Sequence, residues 1–386
     1  MTAKPAGRDA SHDDARAACI AATVRADVRA LTRYPVAHAE GWIKLDAMEN
    51  PYATPDVVRD ALSAGLAAVP INRYPDADAH DCRLALCASL GLDERFGIML
   101  GNGSDELIQI LTVAVATPGA VVLAPEPSFV MYRRNAIAAH ARYVGVPLQA
   151  DFRLDVEAML RAIERERPAL VWLAYPNNPT GNLFDVADVE RIVGAAPGLV
   201  AIDEAYYAFA DKSFLPRVLE FPNVVVVRTV SKIGMAGLRL GYAIGHPDWI
   251  DELEKIRPPY NVNGFTQAAI PVLLAHADAF AQQGLAIRRE RHRVDRALAA
   301  LPGVRTYATQ TNFVLARVPD ASAWFATLRD AKILVKSLDG WHPLLAGCLR
   351  ITVGTPAEND ALLGALGRAY GAKARDGVAM NQEERA

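Results

Sequence analysis

The stretch VVVVRTVSKIGMAGLRLGYAIG, residues 224–245, decides the fold and holds a lysine in an unusual setting. Continuous apolar runs at 224–227 and 242–244 are typical of strands that are buried on both faces of a parallel sheet. Lys232 follows the first run, where burial would disfavour the charged amine and lower its pKa. A neutral lysine amine can form an imine with a carbonyl compound. A surface lysine after a strand is the ordinary alternative.

The same pattern of apolar run, turn and helix-like stretch extends on both sides of this segment, from about residue 90 to 250. Further apolar runs lie at 96–100, 120–124, 170–174 and 199–202. Strands that alternate with helices favour an α/β fold with a mostly parallel, doubly wound sheet. We predict a large domain of this kind over residues 76–275.

The texture of the sequence changes after about residue 280. Arg-rich helical sequence gives way to strand candidates at 312–316, 333–335 and 349–353. This alternation predicts a smaller α+β domain over residues 276–372, joined by residues 41–75 from the other end of the chain. Residues 1–40 are predicted to be an N-terminal arm and 373–386 a tail.

Composition narrows the class of protein. The chain has 386 residues, 52% hydrophobic and 22% charged, which is typical of a globular protein with about two domains. Its net charge of −3 provides no basic field for nucleic acid or acidic membranes. The four cysteines show no metal-ligand spacing, so we expect no metal and a reduced, cytoplasmic protein. The apolar stretch 107–124 is interrupted by Pro118 and Gly119, which predicts a buried helix and a strand, not a membrane span.

Polar residues follow several of the apolar runs. In open α/β sheets, ligands bind at the carboxyl ends of the strands, so these residues could converge. The segment GNGSDE, residues 101–106, could hold a phosphate on the backbone amides of Ser104 and Asp105, although Ser or Asp before a helix is usually just a cap. The dinucleotide spacing G-x-G-x-x-G is absent. Arg239, seven residues after Lys232, could also bind an anion.

Two more segments could contribute an amide, an acid and a phenol. Prolines in YPNNPTG, residues 175–181, would fix the amide of Asn178, although this could be an ordinary turn. Asp203 ends a buried run in IDEAY, residues 202–206, and needs an arginine, a metal or a protonated ring nitrogen as partner. A structural ion pair and a cofactor contact are both open. Together with the lysine, these groups match what pyridoxal phosphate requires.

Several motifs resemble a known family. NPTG (178–181), DEAY (203–206), SK (231–232) and AGLR (236–239) look like the fold-type I aminotransferases. ENPY (49–52), NRYP (72–75), GNGSDE (101–106) and GCLRITVG (347–354) resemble the histidinol-phosphate aminotransferases within that family. The resemblance covers residues 40 to 365 and implies a homodimer that uses pyridoxal phosphate.

The resemblance implies a role for each matching residue. Lys232 would be the Schiff-base lysine and the proton shuttle, and Asp203 would pair with the pyridinium nitrogen. The other cofactor contacts would be Tyr206 and Asn178 on the ring hydroxyl, Phe129 stacked on the ring, Ser104, Asp105, Ser231 and Arg239 on the phosphate, and Tyr74 from the neighbouring subunit. Arg350, with Lys336 and Tyr52, would bind the substrate.

The sequence departs from the family pattern in two places. The segment from Lys232 to Arg239 is one residue shorter than in many relatives, which puts the reach of Arg239 in question. Lys336 stands where relatives commonly have an arginine, and lysine lacks the planar fork for bidentate anion binding. The second departure leaves the substrate open.

The implied activity is reversible amino transfer between L-histidinol phosphate and 2-oxoglutarate, giving imidazole acetol phosphate and glutamate in histidine biosynthesis. The partners would be a small-molecule amino donor and a 2-oxo acid. An aromatic or broad-range aminotransferase and a threonine-phosphate decarboxylase are alternatives that the sequence separates poorly. A pyridoxal-binding transcription regulator is more distant, because the residues before Trp42 are too few and insufficiently basic for a DNA-binding domain.

Overall fold

The computed structural model describes residues 10–37 and 40–368, and two β-sheets organise this part of the chain. The start of the predicted arm, the end of the predicted small domain and the predicted tail at 373–386 lie outside the described residues. The described α-helices are α1 (Ala10–Thr23), α2 (Ala26–Arg29), α3 (Asp56–Ala67), α4 (His80–Leu90), α5 (Ser104–Ala114), α6 (Val130–Ala138), α7 (Val156–Glu166), α8 (Val186–Ala195), α9 (Pro247–Glu254), α10 (Gly264–Ala275), α11 (Ala277–Ala299) and α12 (Ala321–Asp330).

The strands of this part of the chain alternate with those helices. They are β1 (Ile43–Leu45), β2 (Gly97–Asn102), β3 (Val121–Glu126), β4 (Arg142–Pro147), β5 (Leu170–Ala174), β6 (Leu199–Asp203), β7 (Val224–Thr229), β8 (Leu240–Gly245), β9 (Arg305–Thr306), β10 (Phe313–Arg317), β11 (Ile333–Ser337) and β12 (Cys348–Thr352).

The larger sheet has, within the described residues, seven strands in the order β2-β8-β7-β6-β5-β3-β4. Strands β3 to β7 run parallel to one another, whereas β8 is antiparallel to both of its neighbours, β2 and β7. The prediction of a mostly parallel sheet is confirmed.

Alternating side chains of the central strands fill two separate cores. On β5, Val171 and Leu173 point into one core, and Leu170 and Trp172 point into the other. Helices α7 and α8 cover the first face, and α5, α6 and α9 cover the second. Each fully buried valine or leucine side chain stabilises the folded state by about 1.5–3 kcal/mol relative to an exposed one. Burial on both faces therefore explains why the strands read as continuous apolar runs.

The second sheet has the order β1-β11-β12-β10-β9 among the described strands. Strand β1 pairs parallel to β11, and the remaining pairs are antiparallel. Its apolar face packs on α11 and α12, with Leu298, Val314 and Ile351 fully buried. The mixed second sheet confirms the predicted α+β character.

Residues 41–75 contribute to both halves of the structure. Strand β1 joins the second sheet, as expected, but α3 packs against α10 and buries Val58 in a core of the larger sheet. The domain boundaries at residues 76 and 275 stay a prediction.

Most strand predictions are confirmed, and the missed strands are short or atypical. Strand β4 was missed because its sequence RYVGVP is largely half-exposed and contains glycine and proline.

The stretch 107–124 forms α5 and β3, as predicted, and no described helix combines the length and apolarity needed to span a bilayer. The Arg-rich helix α11 buries one of its arginines: Arg291 donates to the carbonyls of Phe209 and Thr311.

The described part of the arm lies against α6. Arg25 donates to the carbonyls of Ile137 and Ala138, and Arg134 donates to the carbonyl of Thr32 at 2.8 Å. These contacts bring the following residues, 34–36, to the cavity described next.

Candidate active site

A cavity of about 500 Å³ lies where β5, β6 and β7 end, between the two sheets. All but two of the predicted site residues line it, namely Ser104, Asp105, Phe129, Asn178, Asp203, Tyr206, Ser231, Lys232, Arg239, Lys336 and Arg350. The exceptions are Tyr52 and Tyr74. The two sheets together bring into one cavity groups that are up to 246 positions apart in the chain, from Ser104 to Arg350.

Lys232 lies in the short 3-10 helix Ser231–Ile233, directly after β7. Its Nζ is 3.4 Å from the carbonyl oxygen of Ala47 and 6.0 Å from the ring centroid of Tyr206. Burial, and then the positive charge of Arg350, lower the pKa of Lys232 to about 8. A substantial fraction of this amine is therefore neutral near physiological pH.

Asp203 is a buried carboxylate at the end of β6. Its Oδ1 accepts from the backbone amide of Ala205 at 3.0 Å, and its Oδ2 accepts from the hydroxyl of Tyr132 at 2.6 Å. Burial raises the pKa of Asp203 to about 6. Within the described residues no lysine or arginine forms a salt bridge with it. The neighbouring Glu204 takes up Arg228 instead, at 2.8 Å.

Small residues and an arginine form a cradle at one end of the cavity. Ser104 begins α5, so its backbone amide is one of the unpaired donors of a helix start. Gly103 has φ +82°, and a Cβ there would lie 2.7 Å from a guanidinium nitrogen of Arg239. Arg239 is 3.8 Å from Asp105 and also borders the cavity beside Ser231. The shorter loop after Lys232 still places Arg239 at this cradle.

Two cations lie at the end of the cavity formed by the second sheet. Lys336 on β11 pairs directly with Arg350 on β12. Arg350 donates to Oδ1 of Asn178 at 2.6 Å and to the carbonyl of Asp46 at 3.0 Å. Burial lowers the pKa of both Arg350 and Lys336, and Arg350 lowers that of Lys336 further. An anion placed between two partly desolvated cations would be stabilised by both.

Lys336 is also flanked by two aromatic rings. Its Nζ lies 4.9 Å from the ring centroid of Trp341 and 5.7 Å from that of Tyr34, which comes from the arm. Such contacts stabilise the charged amine by about 0.5–1 kcal/mol at exposed sites. The rings therefore hold Lys336 at the cavity rather than in solvent.

Two predicted residues do not line the cavity. Tyr52 is half-buried against a small apolar cluster that includes Met48 and Tyr206. Tyr74 is 80% exposed and stacks on Tyr260, with 4.6 Å between the ring centroids. The substrate role of Tyr52 and the cofactor role of Tyr74 stay predictions.

Several residues that line the cavity were not predicted from the sequence, chiefly Tyr34, Asp46, Met48 and Tyr132. The position of Tyr132 could have been predicted from its spacing to Phe129. It follows Phe129 by three residues, and the structure places helix α6 directly after Phe129, so both side chains share one face. Tyr34 gave no such signal, because its position depends on how the arm packs on α6.

The cavity fits pyridoxal phosphate. A buried carboxylate without a cationic partner among the described residues suits a protonated ring nitrogen, and a lysine whose pKa is lowered to about 8 suits an aldehyde. The amide, serine and arginine donors of the cradle suit a phosphate. Among the described residues no group of three or more His, Cys, Asp or Glu side chains is placed to hold a metal ion.

Comparison with known proteins gives a consistent result. Residues 40–366 match the family described as aminotransferase class I and II. The chain is 53% identical to histidinol-phosphate aminotransferase of Chromobacterium violaceum, over 90% of this chain and 98% of the relative. It is also 53% identical to histidinol-phosphate aminotransferase 1 of Burkholderia lata, over 89% and 96%.

Solved structures agree with these relatives. Histidinol-phosphate aminotransferase from Sinorhizobium meliloti, in complex with pyridoxal-5'-phosphate, has a TM-score of 0.80 and 27% identity. The match covers 91% of this chain and 98% of that one. With the cavity and its lysine, carboxylate and anion cradle, these matches show that the chain belongs to the class I and II aminotransferases.

Proposed function

We propose that this protein transfers an amino group reversibly between L-histidinol phosphate and 2-oxoglutarate, giving imidazole acetol phosphate and glutamate. The observation that carries the proposal is the 53% identity, over about nine tenths of the chain, to relatives named histidinol-phosphate aminotransferase. The paired cations Arg350 and Lys336 support it, because both the donor and the acceptor have an anionic end.

The proposed roles at the cofactor end are those that the resemblance implies, and the shared lining of one cavity supports them. Asp203 holds the protonated ring nitrogen, and Tyr206 and Asn178 bond the ring hydroxyl. Phe129 lies against the ring. The phosphate is held by the backbone amides of Ser104 and Asp105 at the start of α5, by Ser231 and by Arg239.

Pyridoxal phosphate, when bound, supplies an aldehyde for the amino group and a ring that accepts the electron pair freed at the substrate carbon. Lys232 would hold the cofactor through that aldehyde. Its amine would also act as general base and acid, taking up and giving back the proton of the substrate Cα. A pKa near 8 suits both directions, because neither protonation state is rare.

The substrate end has to accept two different anions in turn. Arg350 and Lys336 would bind the phosphate of histidinol phosphate in one half-reaction and the distal carboxylate of glutamate in the other. The buried Nε of Arg350 has no hydrogen-bond partner among the described residues and provides a further donor for this purpose. The nearby Tyr52 is assigned to the same substrate end.

A half-reaction assay tests the substrate. Histidinol phosphate added to the purified holoenzyme should abolish the visible absorbance of the bound cofactor, and 2-oxoglutarate should restore it. Phenylalanine, alanine and threonine phosphate form the comparison panel. A response to one of these without any response to histidinol phosphate would contradict the proposed substrate. The Lys232→Ala variant is the matched control and should show no conversion with any amine.

We propose a homodimer in which Tyr74 reaches the cofactor phosphate of the neighbouring subunit. Exposed apolar side chains surround a second hollow at α3 and α10, with Ile71 82%, Tyr74 80% and Phe265 46% exposed. Clustered apolar side chains of this kind mark interaction surfaces. From the cysteine usage, our expectation for the compartment remains the cytoplasm.

Subunit mixing tests this arrangement. Lys232→Ala and Tyr74→Ala subunits, each inactive or weak alone, are mixed and allowed to exchange. If Tyr74 acts across the interface, one site in each mixed dimer regains both groups, and up to about a quarter of wild-type activity returns. If Tyr74 acts within its own chain, no activity returns. Light scattering of each variant checks that both remain dimers.

A further inference from the structure

Tyr132 is a buried tyrosine whose ring is held on two sides. It lies on α6 with no exposed surface, and its ring stacks on that of Trp172 at 4.7 Å with an interplanar angle of 5°. The ring of Phe129 meets it edge-on at 5.7 Å. The side chain therefore has little freedom to rotate, and its hydroxyl has a fixed direction.

That hydroxyl points at the carboxylate of Asp203. The distance from the hydroxyl oxygen to Oδ2 is 2.6 Å, which is typical of a hydroxyl that donates to an ionised acceptor. Burial, and then the charge of Asp203, raise the pKa of Tyr132 well above its ordinary value. The phenol therefore remains protonated and always acts as the donor.

The two bonds to Asp203 together define the plane of its carboxylate. The backbone amide of Ala205 bonds Oδ1, and Tyr132 bonds Oδ2. Each oxygen retains a second lone pair for a further partner. Without Tyr132 only one oxygen would be fixed, and the group could rotate about the bond that joins it to its Cβ.

We propose that Tyr132 is a positioning residue that fixes the carboxylate of Asp203 towards the ring nitrogen of the cofactor. The inference rests on the use of pyridoxal phosphate in the proposed function, but it is independent of the amino donor. Tyr132 acts only through Asp203.

The surroundings of Asp203 make this bond important. Burial raises the pKa of Asp203, and the nearby charges of Asp105 and Glu204 raise it further. The hydrogen bonds from Tyr132 and from the Ala205 amide are the contributions that lower it. Loss of the phenol would therefore favour the protonated, neutral acid, which cannot pair with a protonated ring nitrogen.

The test is the affinity for pyridoxal phosphate across a range of pH. Wild type and Tyr132→Phe are stripped of cofactor, and the dissociation constant is measured by absorbance titration from pH 6 to pH 8. We expect a weakening of about tenfold at pH 8, as for loss of a hydrogen bond to a charged group. The ratio of the two constants should be larger at pH 6, because Asp203 becomes protonated first in the variant.

Tyr143→Phe is the matched control. It also removes a phenol that bonds a carboxylate, that of Glu126, but Tyr143 lies on β4 away from the cavity. The dissociation constant of Tyr143→Phe for pyridoxal phosphate should stay within about twofold of the wild-type value at every pH. A second comparison uses the variant Asp203→Asn and the double variant Asp203→Asn/Tyr132→Phe. Both lack the carboxylate on which Tyr132 acts, so the two variants should bind the cofactor with equal affinity.

Three results would overturn the proposal. The first is an unchanged affinity in Tyr132→Phe, and the second is a weakening that is the same at every pH, which would indicate loss of packing alone. The third is a further loss in the double variant relative to Asp203→Asn, which would be decisive if Tyr132→Phe alone does not fold. Failure of the proposed substrate would be seen separately, because no amino donor enters these measurements.

Discussion

The reactivity of Lys232 should reveal its buried position directly. Burial lowers its pKa from 10.5 to about 8. At pH 7 about 10% of such an amine is neutral, against about 0.03% for an ordinary lysine, so the nucleophilic form is roughly 300 times more abundant. We therefore expect Lys232 of the cofactor-free protein to react with cyanate much faster than exposed lysines near neutral pH.

The assay is competitive labelling followed by peptide mapping. The cofactor-free protein is exposed to trace cyanate between pH 6 and pH 10, and the extent of modification is measured by mass spectrometry for each lysine peptide. The labelling rate of Lys232 should rise with pH and level off just above pH 8, where its amine is neutral. Lys212, which is exposed on a loop, is the internal reference.

A charge substitution separates the causes of the shift. Arg350 is the largest charged contribution that lowers the pKa of Lys232, after burial itself. Arg350→Met should therefore move the inflection of the labelling curve to higher pH without removing it. The reasoning is refuted if wild-type Lys232 shows no inflection below pH 10, or if Arg350→Met moves the inflection downward.

Three further predictions concern stability and substrate binding. Glu204→Gln should lower the free energy of unfolding, measured by urea titration, by about 3–5 kcal/mol, because it leaves the buried charge of Arg228 without a counter-charge. The double variant Glu204→Gln/Arg228→Met should regain much of that loss. Lys336→Met should raise KM for the phosphorylated donor roughly 10- to 100-fold with little change in kcat, whereas exposed Lys332→Met should change neither. His140 is exposed and follows α6 with φ +60°, a left-handed conformation that glycine adopts without strain. His140→Gly should therefore raise the free energy of unfolding by about 1 kcal/mol, and a lower midpoint of urea unfolding would contradict this.

Much of the fold and the chemistry of the site followed from local sequence. Strands β5, β6 and β7 read as apolar runs because they are buried on both faces, and that condition restricts composition at every position. Lys232 and Asp203 were identifiable because polar residues at the ends of such runs are energetically unfavourable without a partner. The half-exposed β4 lacks this constraint, so its sequence gave no comparable signal.

The tertiary structure alone decided which partner each acid takes. Asp203 and Glu204 are consecutive, and successive side chains at a strand point in opposite directions. Glu204 therefore meets Arg228, one strand away, while Asp203 faces the cavity and Tyr132. Local sequence predicts that a buried carboxylate has a partner, but which residue that partner is depends on the register of the neighbouring strand and on the rotation of the helix packed against it. These are set by long-range packing, which no short segment encodes.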